Sequence, residues 1–98
     1  MSIVAKRLRE ARLRAGISQK RLGIAAGMDS FSASARINQY ERGKHTPDLQ
    51  TVERIAKVLK VPAPYFYCSD PELAEVIVKF ADLGKGQRRR VLGLIEES

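Results

Sequence analysis

Residues 32–44 read SASARINQYERGK and form the most informative segment of this chain of 98 residues. The segment predicts a short helix in which mainly Ile37 and Tyr40 would face a core. The side chains expected to point outward are Ser34, Arg36, Asn38 and Gln39. These side chains are hydrogen-bond formers and a cation, the groups that contact base edges and phosphates in nucleic-acid complexes. The pattern therefore predicts a DNA-reading helix.

Positive charge is concentrated in the first half of the chain. Residues 1–44 contain ten Lys and Arg against three Asp and Glu, a net charge of +7, whereas residues 45–98 contain eight of each. The whole excess therefore accompanies the polar helix, which favours a polyanionic partner. Basic residues that serve only solubility are the alternative, and their uneven distribution argues against it.

The composition argues against several other classes of protein. Cys68 is the only cysteine, so no internal disulfide is possible. No apolar stretch resembles a signal peptide or a membrane span, and we expect a cytoplasmic protein. His45 is the only histidine and has no cluster of metal ligands and no nucleophile beside it. We therefore expect no metal, no cofactor and no enzymatic activity.

Helical spacing of apolar residues continues along the chain, without strand-like alternation, and this predicts an all-α fold. The predicted helices span about residues 3–15, 19–26, 32–41, 49–60, 71–83 and 87–96, with a helical turn at 65–67. The predicted N-caps are Ser18, Asp48 and Asp70. In the last helix, the residues expected to point inward are Val91, Leu92 and Ile95.

Small residues in the second helix predict that another helix approaches it closely. Gly23 lies inside that helix, where it costs about 1 kcal/mol relative to Ala, so close packing is expected to outweigh helix propensity. The following turn, residues 28–32, is expected to be anchored to the core by Met28 and Phe31. The apolar stripe predicted for the fourth helix consists of Leu49, Val52, Ile55, Ala56 and Leu59.

Taken in order, these pieces resemble the helix-turn-helix DNA-binding domain of the phage Cro and repressor type, also called XRE-like. The resemblance covers about residues 3–67 and rests on Arg12, GISQKRL (16–22), Gly27, INQYERGK (37–44), Pro47 and VERIAKVLKVP (52–62). It implies a lambda-repressor-like domain of five helices over residues 1–67, followed by a C-terminal helical pair over residues 68–98. Two features depart from the family. The turn before the third helix is longer than usual, and Gly23 stands where alanine is preferred.

The resemblance also implies roles for the polar residues around the third helix. The positions that match base contacts are Ser34, Ala35 and Gln39, with Asn38 beside them. Arg36 would bind either guanine or a phosphate. The expected phosphate contacts are Gln19 at the start of the second helix, and Arg42 and Lys44 after the third. Arg12 and Glu41 are expected to form a structural ion pair, and a merely solvated helix face is the alternative for the outward residues.

Together these features predict a sequence-specific transcriptional regulator, a repressor that binds double-stranded DNA as a homodimer on a near-palindromic operator. Residues 70–98 are the candidate dimerisation element, because their apolar surface exceeds what capping the core requires. Helices that fold back on their own domain are the alternative. The rival functions are a protein-interaction module, antitoxin-like or an adaptor, and a sequence-neutral DNA binder. No small-molecule effector is evident from the sequence.

Overall fold

Six α-helices and one 3₁₀ helix form the fold in the computed structural model, which describes residues 2–98. The helices are α1 (Ile3–Ala15), α2 (Gln19–Ala25), α3 (Ala33–Glu41), α4 (Leu49–Leu59), the 3₁₀ helix (Ala63–Tyr67), α5 (Pro71–Ala81) and α6 (Lys85–Glu97). Within residues 2–98 there is no β-strand, and the predicted all-α fold is confirmed. The helices from α1 to α4, with the 3₁₀ helix, make up the expected five-helix domain.

Short polar side chains begin several of the helices. The hydroxyl of Ser18 accepts a hydrogen bond from the backbone N–H of Arg21 at 3.1 Å, and the carboxylate of Asp48 accepts one from that of Thr51 at 2.8 Å. The hydrogen bonds from Thr51 lower the pKa of Asp48, because they stabilise its charged form. Asp70 caps α5 through its carboxylate, so all three predicted N-caps are confirmed.

The core lies between the first four helices and the 3₁₀ helix. Its largest fully buried side chains are Phe66, Leu8, Leu22, Ile37, Ile55 and Val52. Two residues before the C-terminal pair that were predicted to face the core lie outside it. Leu49 is 60% exposed, because it is the first residue of α4 and precedes the part of the helix that packs. Phe31 is 98% exposed, because its turn is closed by a hydrogen bond to Asp29 that leaves the ring outside, and Met28 anchors the turn alone.

Helices α2 and α3 pack very closely at one point. Gly23 of α2 and Ala33 of α3 are both buried, and a Cβ built on Gly23 would lie 2.7 Å from the Cβ of Ala33. Non-bonded carbon atoms pack best at about 3.5–4.0 Å, so no side chain fits there. The predicted close approach is confirmed, and it explains why this chain has glycine inside a helix.

The two C-terminal helices differ in how they are supported. Helix α5 packs on the 3₁₀ helix, with Ala74 buried against the core. Helix α6 has no buried residue, so the predicted inward orientation of its apolar side chains is wrong. Leu92 and Ile95 are exposed and Val91 is only half-buried. The reason is that α5 already packs on this side of the core, whereas α6 is not packed on the core and meets the last turn of α5 near its own start, at Arg88.

Arginine side chains connect the two C-terminal helices to each other and to α1. Arg88 of α6 donates hydrogen bonds to the backbone carbonyls of Phe80 and Ala81 at 3.2 and 3.1 Å, and its guanidinium lies 5.0 Å from the centre of the Phe80 ring. Arg7 of α1 is only 3% exposed and donates to the carbonyls of Cys68 and Ser69 at 2.9 and 3.2 Å. The connection into α5 is therefore held by α1.

The contact between Gly23 and Ala33 predicts a steric effect of adding one methyl group. Gly23→Ala is expected to lower the free energy of unfolding by about 1–3 kcal/mol, because α2 and α3 must separate to admit the new Cβ. The matched control is Gly93→Ala in α6, where a Cβ meets nothing within 4 Å. The control is expected to stabilise by up to about 1 kcal/mol through helix propensity. Urea unfolding measures both, and equal effects of the two substitutions would contradict the packing explanation.

Candidate nucleic-acid interface

Helix α3 presents a polar face to solvent and an apolar face to the core. Its buried residues are Ala33, Ile37, Tyr40 and Glu41. Its exposed residues are Ser34, Ala35, Arg36 and Gln39, and Asn38 is half-buried beside them. The residues predicted to contact bases therefore share the solvent-facing side of a helix whose opposite side packs on the core.

An ion pair fixes the C-terminal end of α3. The guanidinium of Arg12 in α1 donates two hydrogen bonds to the carboxylate of Glu41, one from Nε to Oε2 and one from Nη2 to Oε1 at 3.1 Å. A third N–H of Arg12 donates to the carbonyl of Ile17 at 3.1 Å. The side chains of the pair are only 13% and 5% exposed. The hydrogen bond to Glu41 raises the pKa of Arg12, because it stabilises the charged guanidinium.

Gln19 joins α2 to the same network. Its side-chain nitrogen donates to Oε1 of Glu41 at 3.2 Å and to Oδ1 of Asn38 at 3.3 Å. The carboxamide that was predicted to contact a phosphate therefore donates its hydrogen bonds to other protein side chains in this structure. The arrangement orients Asn38 and ties the start of α2 to the end of α3.

Basic side chains surround the polar face. Arg42 and Lys44 are exposed directly after α3, where the Lys44 N–H donates to the carbonyl of Gln39 at 3.0 Å. Arg36 bends along the helix and donates to the hydroxyl of Tyr40 at 3.1 Å. These cations give the face the positive potential that a phosphate backbone requires.

Next to α3 lies an open groove of about 600 Å³. It is lined by Arg9, Arg12, Gln19, Asn38, Glu41 and Arg42. Arg9 was not among the predicted site residues, although its position three residues before Arg12 on α1 places it on the same side of that helix. Arg14, which follows Arg12 by two residues on α1, lines a different groove beside Tyr65 and α5. The groove adds one exposed cation to the predicted set.

Comparison with known proteins identifies the family. A family model described as helix-turn-helix matches residues 8–66, more than half of the chain. The chain therefore belongs to the helix-turn-helix family of the phage Cro and repressor (XRE-like) type, a family of DNA-binding regulators. A solved structure described as "Crystal structure of transcriptional regulator BswR" is similar over 100% of this chain and 95% of that chain, with 49% identity and a TM-score of 0.91. No curated protein matches the chain significantly.

Among the described residues there is neither a metal-binding cluster nor a membrane-spanning helix. Within residues 2–98, no three His, Cys, Asp or Glu side chains are grouped closely enough to hold a metal ion. None of the helices described over the same residues has the length and apolarity needed to cross a membrane.

The Arg12–Glu41 pair predicts a large cost when one partner is removed. Arg12→Ala is expected to lower the free energy of unfolding by about 3–5 kcal/mol, because the buried carboxylate of Glu41 loses its cation. The matched control is Glu75→Ala, which breaks the exposed Glu75–Lys79 pair (3.7 Å) in α5 and is expected to cost less than about 0.5 kcal/mol. Urea unfolding distinguishes the two, and a cost for Arg12→Ala no larger than the control's would show that the pair does not stabilise the fold.

Proposed function

We propose that the protein is a sequence-specific transcriptional regulator that acts as a repressor in the cytoplasm and binds a near-palindromic operator as a homodimer. The observation that carries the proposal is the polar face of α3, which is exposed while the opposite face of the same helix is fully buried. A rigid helix with outward hydrogen-bonding groups is suited to the major groove. The family, and the concentration of all excess positive charge in residues 1–44, support the same function.

The proposed contacts divide into two groups. The base-contacting residues are Ser34, Ala35, Arg36, Asn38 and Gln39. The phosphate-contacting residues are Gln19, Arg42 and Lys44. For Gln19, contact with a phosphate through its side chain requires that it exchange at least one of its present hydrogen bonds, to Asn38 or Glu41, for the phosphate. The Arg12–Glu41 pair has a structural role.

Residues of the C-terminal pair are the proposed dimer contact. Large apolar side chains lie exposed on α5 and α6: Leu73, Val76, Leu92, Leu94 and Ile95. Such a surface is costly in water and is typical of a protein–protein interface. Pairing two copies places two α3 helices on half-sites about one helical turn, roughly 34–36 Å, apart. The division into a DNA-binding domain (1–67) and a dimer element (68–98) is part of this proposal.

One experiment tests the function against its rivals. Duplexes selected from a random pool at two salt concentrations are expected to yield an enriched palindrome, whose binding weakens as salt rises. Binding that depends steeply on salt but enriches no motif would indicate a sequence-neutral binder. Little DNA binding at either salt concentration would favour a protein-interaction module.

Gln39 is expected to determine one base. Gln39→Ala should reduce discrimination at one position of each half-site by about 1–3 kcal/mol, because a bidentate contact to adenine is lost. The control Lys44→Ala should weaken all sequences alike and reduce the salt slope by about 1. Titration of operator variants measures both, and a uniform weakening by Gln39→Ala would show that Gln39 does not contact a base.

The dimer contact is tested with Ile95→Glu. A charge on this exposed apolar surface should convert the dimer to a monomer, because it would have to be buried at the interface. Light scattering after gel filtration measures the mass. The matched control is Leu13→Glu, at an exposed apolar residue of α1, which should leave the dimer intact. A monomeric wild-type protein, or a dimeric Ile95→Glu variant, would contradict the proposed contact.

A further inference from the structure

Phe31 is the most exposed large apolar residue of residues 2–98. Its side chain is 98% accessible to solvent, whereas the other exposed large apolar residues range from 44% to 66%. Complete burial of a Phe side chain is among the larger favourable contributions that a single residue makes to folding or association. An aromatic ring left wholly in water therefore contributes nothing to this fold.

The exposure of Phe31 follows from the hydrogen bonds that shape its turn. Before it, Met28 is buried and its N–H donates to the carbonyl of Gly23 at 2.9 Å. The carboxylate of Asp29 accepts the Phe31 N–H at 2.9 Å. After it, the Ala33 N–H donates to the carbonyl of Asp29 at 2.9 Å, and Ala33 is pressed against Gly23. Both ends of the turn are fixed, so the ring is held outside the protein.

The ring lies at the end of α3 that matters most for recognition. Phe31 precedes the first residue of α3 by two positions, and the next exposed residues are Ser34 and Ala35. In helix-turn-helix proteins, the N-terminal residues of the reading helix contact the base edges. The surrounding half of the chain carries a net charge of +7, which favours DNA over an apolar protein partner at this place. The extended turn therefore places an aromatic ring at the edge of the proposed interface.

The chemistry of the major groove identifies what the ring would contact. The base edges there are hydrogen-bond donors and acceptors, with one apolar group, the C5-methyl of thymine. Phe contributes no hydrogen bond, so among the base edges only this methyl group matches it. We infer that Phe31 is a specificity-determining residue that packs on a thymine methyl group in each half-site, beside the bases contacted by Ser34 and Ala35. This inference rests on the proposed function and adds a residue to it.

The test uses the operator recovered by selection and the whole chain of residues 1–98. Each thymine is replaced in turn by deoxyuridine, which removes the methyl group and keeps every hydrogen-bonding atom. For the wild-type protein, replacement of the thymine that Phe31 contacts is expected to weaken binding about three- to fivefold, the effect of one buried methyl group. A thymine that Ala35 contacts would respond as well, but equally in the wild type and in Phe31→Ala. Phe31→Ala is expected to weaken binding at least about tenfold and to abolish the sensitivity to that replacement. Phe31→Leu should keep part of both effects, because it remains apolar.

The controls separate recognition from folding and association. Tyr67→Ala removes another exposed aromatic ring, in the 3₁₀ helix, and should leave deoxyuridine sensitivity unchanged. Thermal unfolding of Phe31→Ala should match that of the wild type, because the ring makes no core contact. Light scattering shows whether the variant changes the oligomeric state.

The possible results are distinct. Loss of deoxyuridine sensitivity in Phe31→Ala alone supports the inference. Unchanged sensitivity in Phe31→Ala, or a changed oligomeric state with unchanged base preference, overturns the inference and leaves the proposed function standing. Failure to recover any operator overturns the proposed function, and the inference with it.

Discussion

The buried pair of Arg12 and Glu41 is the interaction on which the geometry of the interface depends. It joins α1 to the end of α3, and Gln19 extends it to the start of α2. Three helices therefore meet at one carboxylate. Because removal of either partner would leave a buried charge unpaired, the pair ties the end of α3 to α1 and so contributes to the orientation of α3. The direction in which the polar side chains of α3 point therefore depends on this pair.

Much of the fold follows from local signals in the sequence. Caps such as Ser18 and Asp48 act on backbone groups within three residues, so their effect is readable from the chain itself. Gly23 was also readable, because a glycine inside a helix has few explanations other than close packing. The exposure of Phe31 and Leu49 could not be predicted from the sequence. Apolar character alone does not show which side of a turn or which end of a helix meets the core.

In the predicted site, too, the features set by local sequence could be predicted and those set by tertiary packing could not. The outward set on α3 could be predicted because helical periodicity separates it from Ile37 and Tyr40. The engagement of Gln19 with Asn38 and Glu41 could not, since it depends on how α2 and α3 come together in space. Arg7 and Arg9 were missed for the same reason. Their roles come from distant segments and grooves, and a basic residue in a basic helix carries no signal of its own.

Buried Arg7 makes α1 the link between the two ends of the fold. Arg7 holds the carbonyls of Cys68 and Ser69, while Arg12, on the same helix, holds α3. Helix α1 therefore connects α3 with the segment that leads into the C-terminal pair. In the proposed dimer, a displacement at the start of the C-terminal pair would therefore act on α1 and, through it, on α3.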